Sequence, residues 1–316
     1  MVSLNPFNEI YHSKEYTEVL KHPLVGFPYI VDIELTNYCN LDCLFCGQQT
    51  MARPRGFMSQ KIFKKIVDEC SKHKTSIRII RWGEPFLHPQ IIDFCRYAKF
   101  KGILLHITTN GLLITEQQMK ELIEIGLDSL IFSFQGATKE RYEIMRNNNQ
   151  YDKLKENILK FVELRGEYQK PFIHISSTMT DETEKEINAF KNHWENIVDS
   201  VGIGKTNLSR LSIGQIKSLE NMKKLELLQK QETIEKIYRP CTEVYQKLSI
   251  DWDGKVAGCC LDWDNYFMVG DLEKDTIKNI WNNSEKLKIF REMLNKGLHK
   301  SLTLCSVCFK PYGDKF

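Results

Sequence analysis

Ten cysteines stand in this 316-residue chain, and their spacing is the first chemistry it offers. Cys39, Cys43 and Cys46 form C-x3-C-x2-C within TNYCNLDCLFCGQQ. Three thiolates on one loop can each hold one iron of a cubane iron–sulfur cluster and leave the fourth iron open, much as a catalytic zinc keeps an open position. A zinc site is the alternative, but His12, His22 and His73 show no ligand-like spacing to the triplet. After a stretch from Cys95 to Cys241 without cysteine comes a second group, Cys241, Cys259, Cys305 and Cys308, with Cys260 as an extra. Four thiolates would fill every iron of a second cluster, or make a structural zinc site.

The triplet lies just after the first of six β-rich runs, YIVDIEL (29–35), SIRIIRW (76–82), ILLHITT (103–109), SLIFSF (129–134), FIHISST (172–178) and SVGIGK (200–205). Between them, Phe63, Ile66, Val67 and Cys70 recur at the spacing of one helix face, as do Ile91, Phe94, Cys95 and Ala98, and Leu154, Ile158, Phe161 and Val162. Alternation of strand and helix predicts an α/β fold with a parallel sheet whose strand ends carry the cysteine loop. Cys70 and Cys95 sit on the apolar helix faces and read as packing residues. After Lys205 the chain becomes rich in Lys, Glu, Gln and Leu, which reads as a helical linker over 206–240 with its helix around 220–237. Residues 241–316 then offer a hairpin, KLSIDWDGKVAGCC, turning at Asp253-Gly254, and a short helix near 276–295. That is little core for an independent unit without metal staples.

Composition narrows the function classes. The chain is 42% hydrophobic, enough for a packed core, and 44 basic against 41 acidic side chains give a net charge of only +3. No strong basic excess points to nucleic acid. No uncharged apolar run approaches the ~20 residues of a membrane span, and the N-terminus lacks a basic region followed by an apolar one. A cytoplasmic protein without membrane or nucleic-acid partners is the expectation.

The triplet, with Phe45 before its last cysteine, resembles the signature of the radical S-adenosylmethionine (SAM) enzymes. The resemblance implies a partial (β/α)6 barrel over 29–205, preceded by a 1–28 extension. It implies a 4Fe–4S cluster on Cys39, Cys43 and Cys46 whose open iron is chelated by SAM. Reductive cleavage of SAM then yields a 5′-deoxyadenosyl radical that abstracts a substrate hydrogen. Trp82-Gly83-Glu84-Pro85 is similar to the family's GGEP motif, with Trp82 in place of the first glycine, and makes Glu84 a contact for the SAM amino group. Thr108-Thr109-Asn110-Gly111 resembles the family's TNG turn and adds Asn110. Ser133, followed by Gln135-Gly136 where relatives commonly have Asp-Gly, and Arg146 stand where relatives contact the SAM ribose or carboxylate.

Cys241-x12-Gly254-x4-Cys259 resembles the opening of the SPASM auxiliary-cluster extension, here shortened to the twitch form of butirosin-type 2-deoxy-scyllo-inosamine dehydrogenases. The resemblance implies a small C-terminal α+β iron–sulfur domain over 241–316 with a second 4Fe–4S cluster on Cys241, Cys259, Cys305 and Cys308. Cys260, as a strand neighbour of Cys259, is expected on the opposite face. It is either a packed thiol or a hydrogen-atom donor resembling that of neomycin-type epimerases.

The reading that follows is a radical SAM dehydrogenase or epimerase acting at a carbinol carbon of a sugar, aminocyclitol or similar small molecule, with a flavodoxin or ferredoxin as reductant. Modification of a ribosomally made peptide is the second reading, and a non-catalytic zinc-binding interaction protein the third. Because three attachments are needed to leave one iron open, Cys39→Ala, Cys43→Ala and Cys46→Ala should each abolish reductive cleavage of SAM. Assay of 5′-deoxyadenosine under reducing, anaerobic conditions checks this, and a single variant with normal cleavage would refute the assignment.

Overall fold

The computed structural model describes residues 26–208, 219–231 and 241–308, with the isolated positions Pro6 and Gly214. Most of the expected N-terminal extension and residues 232–240 of the linker fall outside them. Six parallel strands run in chain order across one sheet: β1 (Ile30–Ile33), β2 (Ser76–Ile79), β3 (Leu105–Thr109), β4 (Ser129–Ser133), β5 (Phe172–Met179) and β6 (Ser200–Lys205). The helices between them include α1 (Gln60–Lys72), α2 (Ile91–Phe100), α3 (Glu116–Glu124), α4 (Lys139–Arg146), α5 (Tyr151–Arg165) and α6 (Glu184–Glu195). The expected α/β architecture is therefore present, with each strand returning through helix to the next.

Local chemistry explains the helix starts. Ser59 accepts a hydrogen bond from the Ile62 amide, and Thr115 and Thr183 each form a reciprocal capping box with Gln118 and Glu186. Packing then fixes the layers. Val31, Ile33, Ile77, Ile79, Leu105 and Ile107 belong to one core with Phe63, Phe94, Leu122 and Phe161 from the helices. Cys70 and Cys95 are fully buried in that core.

The alternate strand positions face the concave side and are polar. Asp32 stands opposite Arg78 on one side and Ser249 on the other, Arg78 opposite His106, and His106 opposite Ser129. Arg78 grips Asp32 through two hydrogen bonds of 2.7 and 2.8 Å. His106 bonds Ser129 at 3.0 Å and Thr108 at 2.9 Å, and His174 bonds Ser200 at 2.5 Å. An apolar outer face and a polar inner face are what a barrel wall with a working interior requires, rather than a sheet buried alike on both sides.

The C-terminal segment does not begin a separate sheet. β7 (Lys247–Ile250) pairs in parallel with β1, and β8 (Lys255–Ala257) and β9 (Met268–Asp271) continue antiparallel, giving nine strands in the order β6-β5-β4-β3-β2-β1-β7-β8-β9. Leu248, Ile250, Val256 and Trp281 join the barrel core. This answers how so short a segment finds enough core: it borrows the barrel's. Gly254, at φ +84°, makes the β7–β8 turn with Asp253, a conformation glycine adopts without strain. The linker helix is α7 (Leu219–Gln231), followed by the short α8 (Glu243–Gln246). The single helix expected near 276–295 is two, α9 (Ile277–Asn283) and α10 (Glu285–Asn295), because Ser284 takes an extended conformation and caps the second. No helix among the described residues is long and apolar enough to cross a membrane.

Burial holds His106 down at about 3, helped by the facing Arg78, and His174 down at about 4. Both rings are thus neutral in the folded chain, while unfolded histidine takes up a proton near 6.5. A depressed histidine favours unfolding as pH falls below 6.5. Each therefore withdraws up to about 1.4 kcal/mol of stability per pH unit between there and its folded value. Denaturant titrations at pH 7.5 and 5 should show the wild type losing stability relative to the H106N/H174N double variant. A gap independent of pH would contradict neutral burial.

Candidate active site

Cys39, Cys43 and Cys46 follow β1, where the extended chain turns across the strand ends. Beside them the structure opens a cavity with about 580 Å³ of empty space, partly continuous with solvent. Its lining brings together every candidate from the barrel half of the sequence: the three cysteines, Phe45, Glu84, Asn110, Ser133 and Arg146.

Glu84 closes the turn after β2. Its carboxylate accepts from the Phe86 amide at 3.1 Å, the Thr109 hydroxyl at 2.7 Å and the Asn110 amide at 2.8 Å. Burial nevertheless pushes it up to about 7, which three donors only partly offset. A cation placed in the cavity would relieve that penalty. Asn110 reaches across to the Asn40 side chain at 2.8 Å and lies 3.9 Å from the Cys39 sulfur. Gly83, the glycine retained from the motif, has no room for a side chain, since a Cβ there would lie 1.9 Å from the Thr36 carbonyl oxygen. Trp82, in the place of the other glycine, itself lines the cavity and meets the Trp263 ring edge-on at 5.9 Å.

Arg146 is not a solvated arginine. It ends α4 where Asn147, at φ +50°, terminates the helix, and its buried guanidinium turns back to the cysteine loop. It donates to the Ser133 carbonyl at 2.6 Å, the Phe134 carbonyl at 3.1 Å and the Cys43 sulfur at 3.4 Å, and lies over the Phe45 ring at 5.6 Å. Ser133 thus meets Arg146 through its backbone. Gln135, where relatives commonly have aspartate, is fully buried and ties the ends of β4, β5 and β6 through Thr178 and Thr206.

The residues best placed to fix the loop were not apparent from motif spacing. Gln48 donates to the Asn37 carbonyl at 2.8 Å and to the Trp82 carbonyl, while Arg55 holds the Gln48 side chain at 2.7 Å and its carbonyl at 2.8 Å. Arg53 pairs with Glu34 at 2.5 and 2.7 Å, and Arg81 with Asp251 at 2.7 Å. Arg81 also adopts φ +117°, a strained region for a non-glycine residue worth about 1–3 kcal/mol. One signal was available: two acids, Asp32 and Glu34, alternate in an otherwise apolar central strand.

At the other end, Cys241, Cys259 and Cys305 border one apolar cluster with Phe267 and Phe290, whose rings stack at 4.6 Å. Cys308 follows the single turn Cys305–Val307, donates its amide to the Cys305 carbonyl and lies near enough to Cys241 and Cys305 for their charges to interact. The Leu261 amide donates to the Cys259 sulfur at 3.4 Å. Cys259 and Cys260 are not strand neighbours on opposite faces: β8 ends at Ala257 and the chain turns, so their thiols hydrogen-bond each other. That bond, with the Lys247 charge, holds the Cys260 thiol below the usual thiol range against burial. Its sulfur also lies 3.6 Å from Glu243, and it is absent from the cavity lining.

Both cysteine groups fit iron–sulfur centres by their donor chemistry. Burial pushes Cys39 up to about 12, Cys46 to about 11 and Cys305 to about 12, so bare thiolates there are costly and a bound metal centre is what would stabilise them. Among the described residues, no three His, Cys, Asp or Glu side chains gather tightly enough for a single metal ion.

The Radical SAM superfamily model matches residues 33–201. The chain belongs to that family. An iron–sulfur cluster-binding domain of the SPASM type matches residues 241–309. The radical SAM domain binds SAM and a 4Fe–4S cluster, and the SPASM domain binds auxiliary iron–sulfur clusters. Among relatives, the tungsten-containing aldehyde ferredoxin oxidoreductase cofactor-modifying protein of Pyrococcus furiosus is 27% identical over 311 residues, covering 87% of this chain and 86% of its own. The fold is shared with BtrN in complex with AdoMet and 2-DOIA, at TM-score 0.54, 18% identity and coverage of 88% and 91%. It is also shared with Streptococcus suis SuiB bound to the precursor peptide SuiA, at TM-score 0.67, 16% identity and coverage of 91% and 72%.

Gly83→Ala tests the tightest contact of this site. A methyl group cannot stand 1.9 Å from a backbone oxygen, so the Glu84 turn must shift. We expect a loss of about 3 kcal/mol of stability and at least a tenfold weaker SAM affinity by equilibrium binding. Wild-type affinity in this variant would show that the turn does not set the SAM site.

Proposed function

We propose that this radical SAM enzyme oxidises a small polar molecule at a hydroxyl-bearing carbon. The observation that carries the reading is the place of Cys260. Its thiol is engaged with Cys259 and Glu243 and does not line the cavity, which disfavours donation of a hydrogen atom to a substrate radical and hence epimerisation. When bound, SAM and the two clusters supply a 5′-deoxyadenosyl radical at the barrel and a one-electron sink at the C-terminal segment. Removal of a hydrogen atom from the carbinol carbon, then of one electron and the hydroxyl proton, balances to a ketone.

Each residue then has a role in this reading. Cys39, Cys43 and Cys46 hold the radical-forming cluster, and Arg146 offsets the charge of the Cys43 thiolate. Glu84 receives the SAM ammonium, with Asn110, Ser133 and Phe45 around the rest of SAM. Cys241, Cys259, Cys305 and Cys308 hold the auxiliary cluster, and a flavodoxin- or ferredoxin-type donor supplies the electron that starts each turnover. The segment after Cys260 packs on the cysteine loop: Trp263 lies against Gly47 and Trp82, and Asp264 accepts from the Ala52 and Arg53 amides at 2.8 and 3.0 Å. The relative matched over most of its length is named for modifying a cofactor, which agrees with a small substrate. SuiB's bound precursor peptide favours the second reading, peptide modification.

A deuterium-labelled cell extract separated into a small-molecule filtrate and a peptide fraction distinguishes the two. Deuterated 5′-deoxyadenosine should form from the filtrate and not from the peptides. With the active compound in heavy water, the product should be a ketone, and Cys260→Ala should be nearly silent. Solvent deuterium at an inverted carbon would replace oxidation by epimerisation, and labelling from the peptide fraction alone would replace the substrate class.

A further inference from the structure

We propose that Arg81 is a positioning residue that locks the auxiliary-cluster loop to the SAM-binding edge of the barrel and raises the reduction potential of the auxiliary centre. The proposal rests on the assignment of an auxiliary cluster to Cys259 and its three partners.

Arg81 stands three residues before Glu84, directly after β2, and its side chain is fully buried. One nitrogen of its guanidinium donates to Asp251 at 2.7 Å and to the Asp262 carbonyl at 2.9 Å, and the other reaches the Cys259 carbonyl at 3.5 Å. Asp262 is itself fully buried, and its carboxylate accepts from the Tyr266 and Phe267 amides. The planar fork of one cation therefore grips both ends of the turn from Cys259 to Asp262. That turn carries one auxiliary ligand and Cys260. The φ of +117° at Arg81 is unfavourable for any side chain, and from that backbone position its planar fork meets both carbonyls at once.

The electrostatic consequence follows from position. A cluster on four thiolates gains negative charge on reduction, and its potential responds to nearby charge and hydrogen bonding. A buried cation bonded to the ligand loop favours the reduced state, which suits a centre that must accept an electron. Asp251, behind the same guanidinium, works in the opposite sense. A purely structural brace would not make these two residues opposite in sign.

Redox titration of the reconstituted protein, followed by electron paramagnetic resonance of the auxiliary signal, tests this. In R81M the ratio of reduced to oxidised auxiliary cluster at a fixed potential should fall at least tenfold, equivalent to 59 mV for one electron. R81K should recover part of the loss, and D251N should shift the ratio upward. If R81M does not accumulate, the opposed shifts of R81K and D251N carry the same comparison. Unchanged potentials in variants that retain their iron, or shifts of Arg81 and Asp251 variants in one direction, overturn the proposal. A wild-type protein with iron for one cluster and no auxiliary signal would instead remove the cluster assignment, and the proposal with it.

Discussion

Four buried charges hold the two halves of this molecule in one register. Glu34 comes from the end of β1, Arg53 from the loop beyond the cysteine triplet, Arg81 from the end of β2 and Asp251 from the end of β7. Two acids and two arginines balance, with bidentate geometry between Arg53 and Glu34. Such a cluster adds little net stability over apolar packing, because desolvation cancels much of its attraction. Removing one member, however, leaves a buried unpaired charge at a cost of about 3–5 kcal/mol. That asymmetry makes it a register device: any slip of the loop or of β7 separates charges that nothing else can satisfy. Asp251 is fully buried, and burial pushes its carboxyl above the usual carboxylate range even against its two arginines.

The cysteine loop depends on this register because it has no regular structure of its own beyond a single turn. Its shape comes from side chains that bond backbone: Gln48 and Arg55 on Asn37, Arg53 on the Trp263 carbonyl, and Asp264 on the Ala52 and Arg53 amides. Three of these hydrogen bonds reach the C-terminal segment, at Trp263 and Asp264. The radical-forming site is therefore shaped partly by the domain that carries the other cysteines, a dependence that separate domains on a flexible linker would not produce.

The sequence was legible where periodicity is enforced by burial. Five of the six barrel strands fall within the runs read from residues 29–205, and β5 passes its run by one residue, since Val31, Ile33, Ile107 or Phe132 cannot leave the core without exposing apolar surface. The Asp253-Gly254 turn was legible because only glycine accepts φ +84° at low cost there. What was hidden depends on contacts between segments distant in the chain. Parallel pairing of β7 with β1 joins residues some two hundred positions apart, and nothing in KLSI distinguishes a barrel partner from an isolated hairpin strand. Nothing in the local sequence marks Arg53 and Arg81 as buried partners of Glu34 and Asp251, for the same reason. The opposite faces expected for Cys259 and Cys260 failed because the strand stops two residues earlier than its hydrophobic pattern suggests.

Continuity of the sheet also bears on how electrons and substrate must share the site. The cysteine triplet follows the end of β1 and Glu84 follows its neighbour β2, while its other neighbour β7 turns into antiparallel β8, after which Cys260 lies back toward the start of β7, 3.6 Å from Glu243. Adjacent strands lie ~4.8 Å apart, so the radical-forming loop and the auxiliary loop are carried by neighbouring strands of one rigid sheet. Hinged domains could vary that separation and would need closure to bring the two centres to the substrate. Here hydrogen-bonded strands fix it before anything binds. An enzyme that removes a hydrogen atom on one side of a small molecule and an electron on the other needs such a fixed pair. Trp263, packed against Gly47 and Trp82, belongs to the same fixed arrangement, so moving the C-terminal segment would give up packing that shapes the cysteine loop.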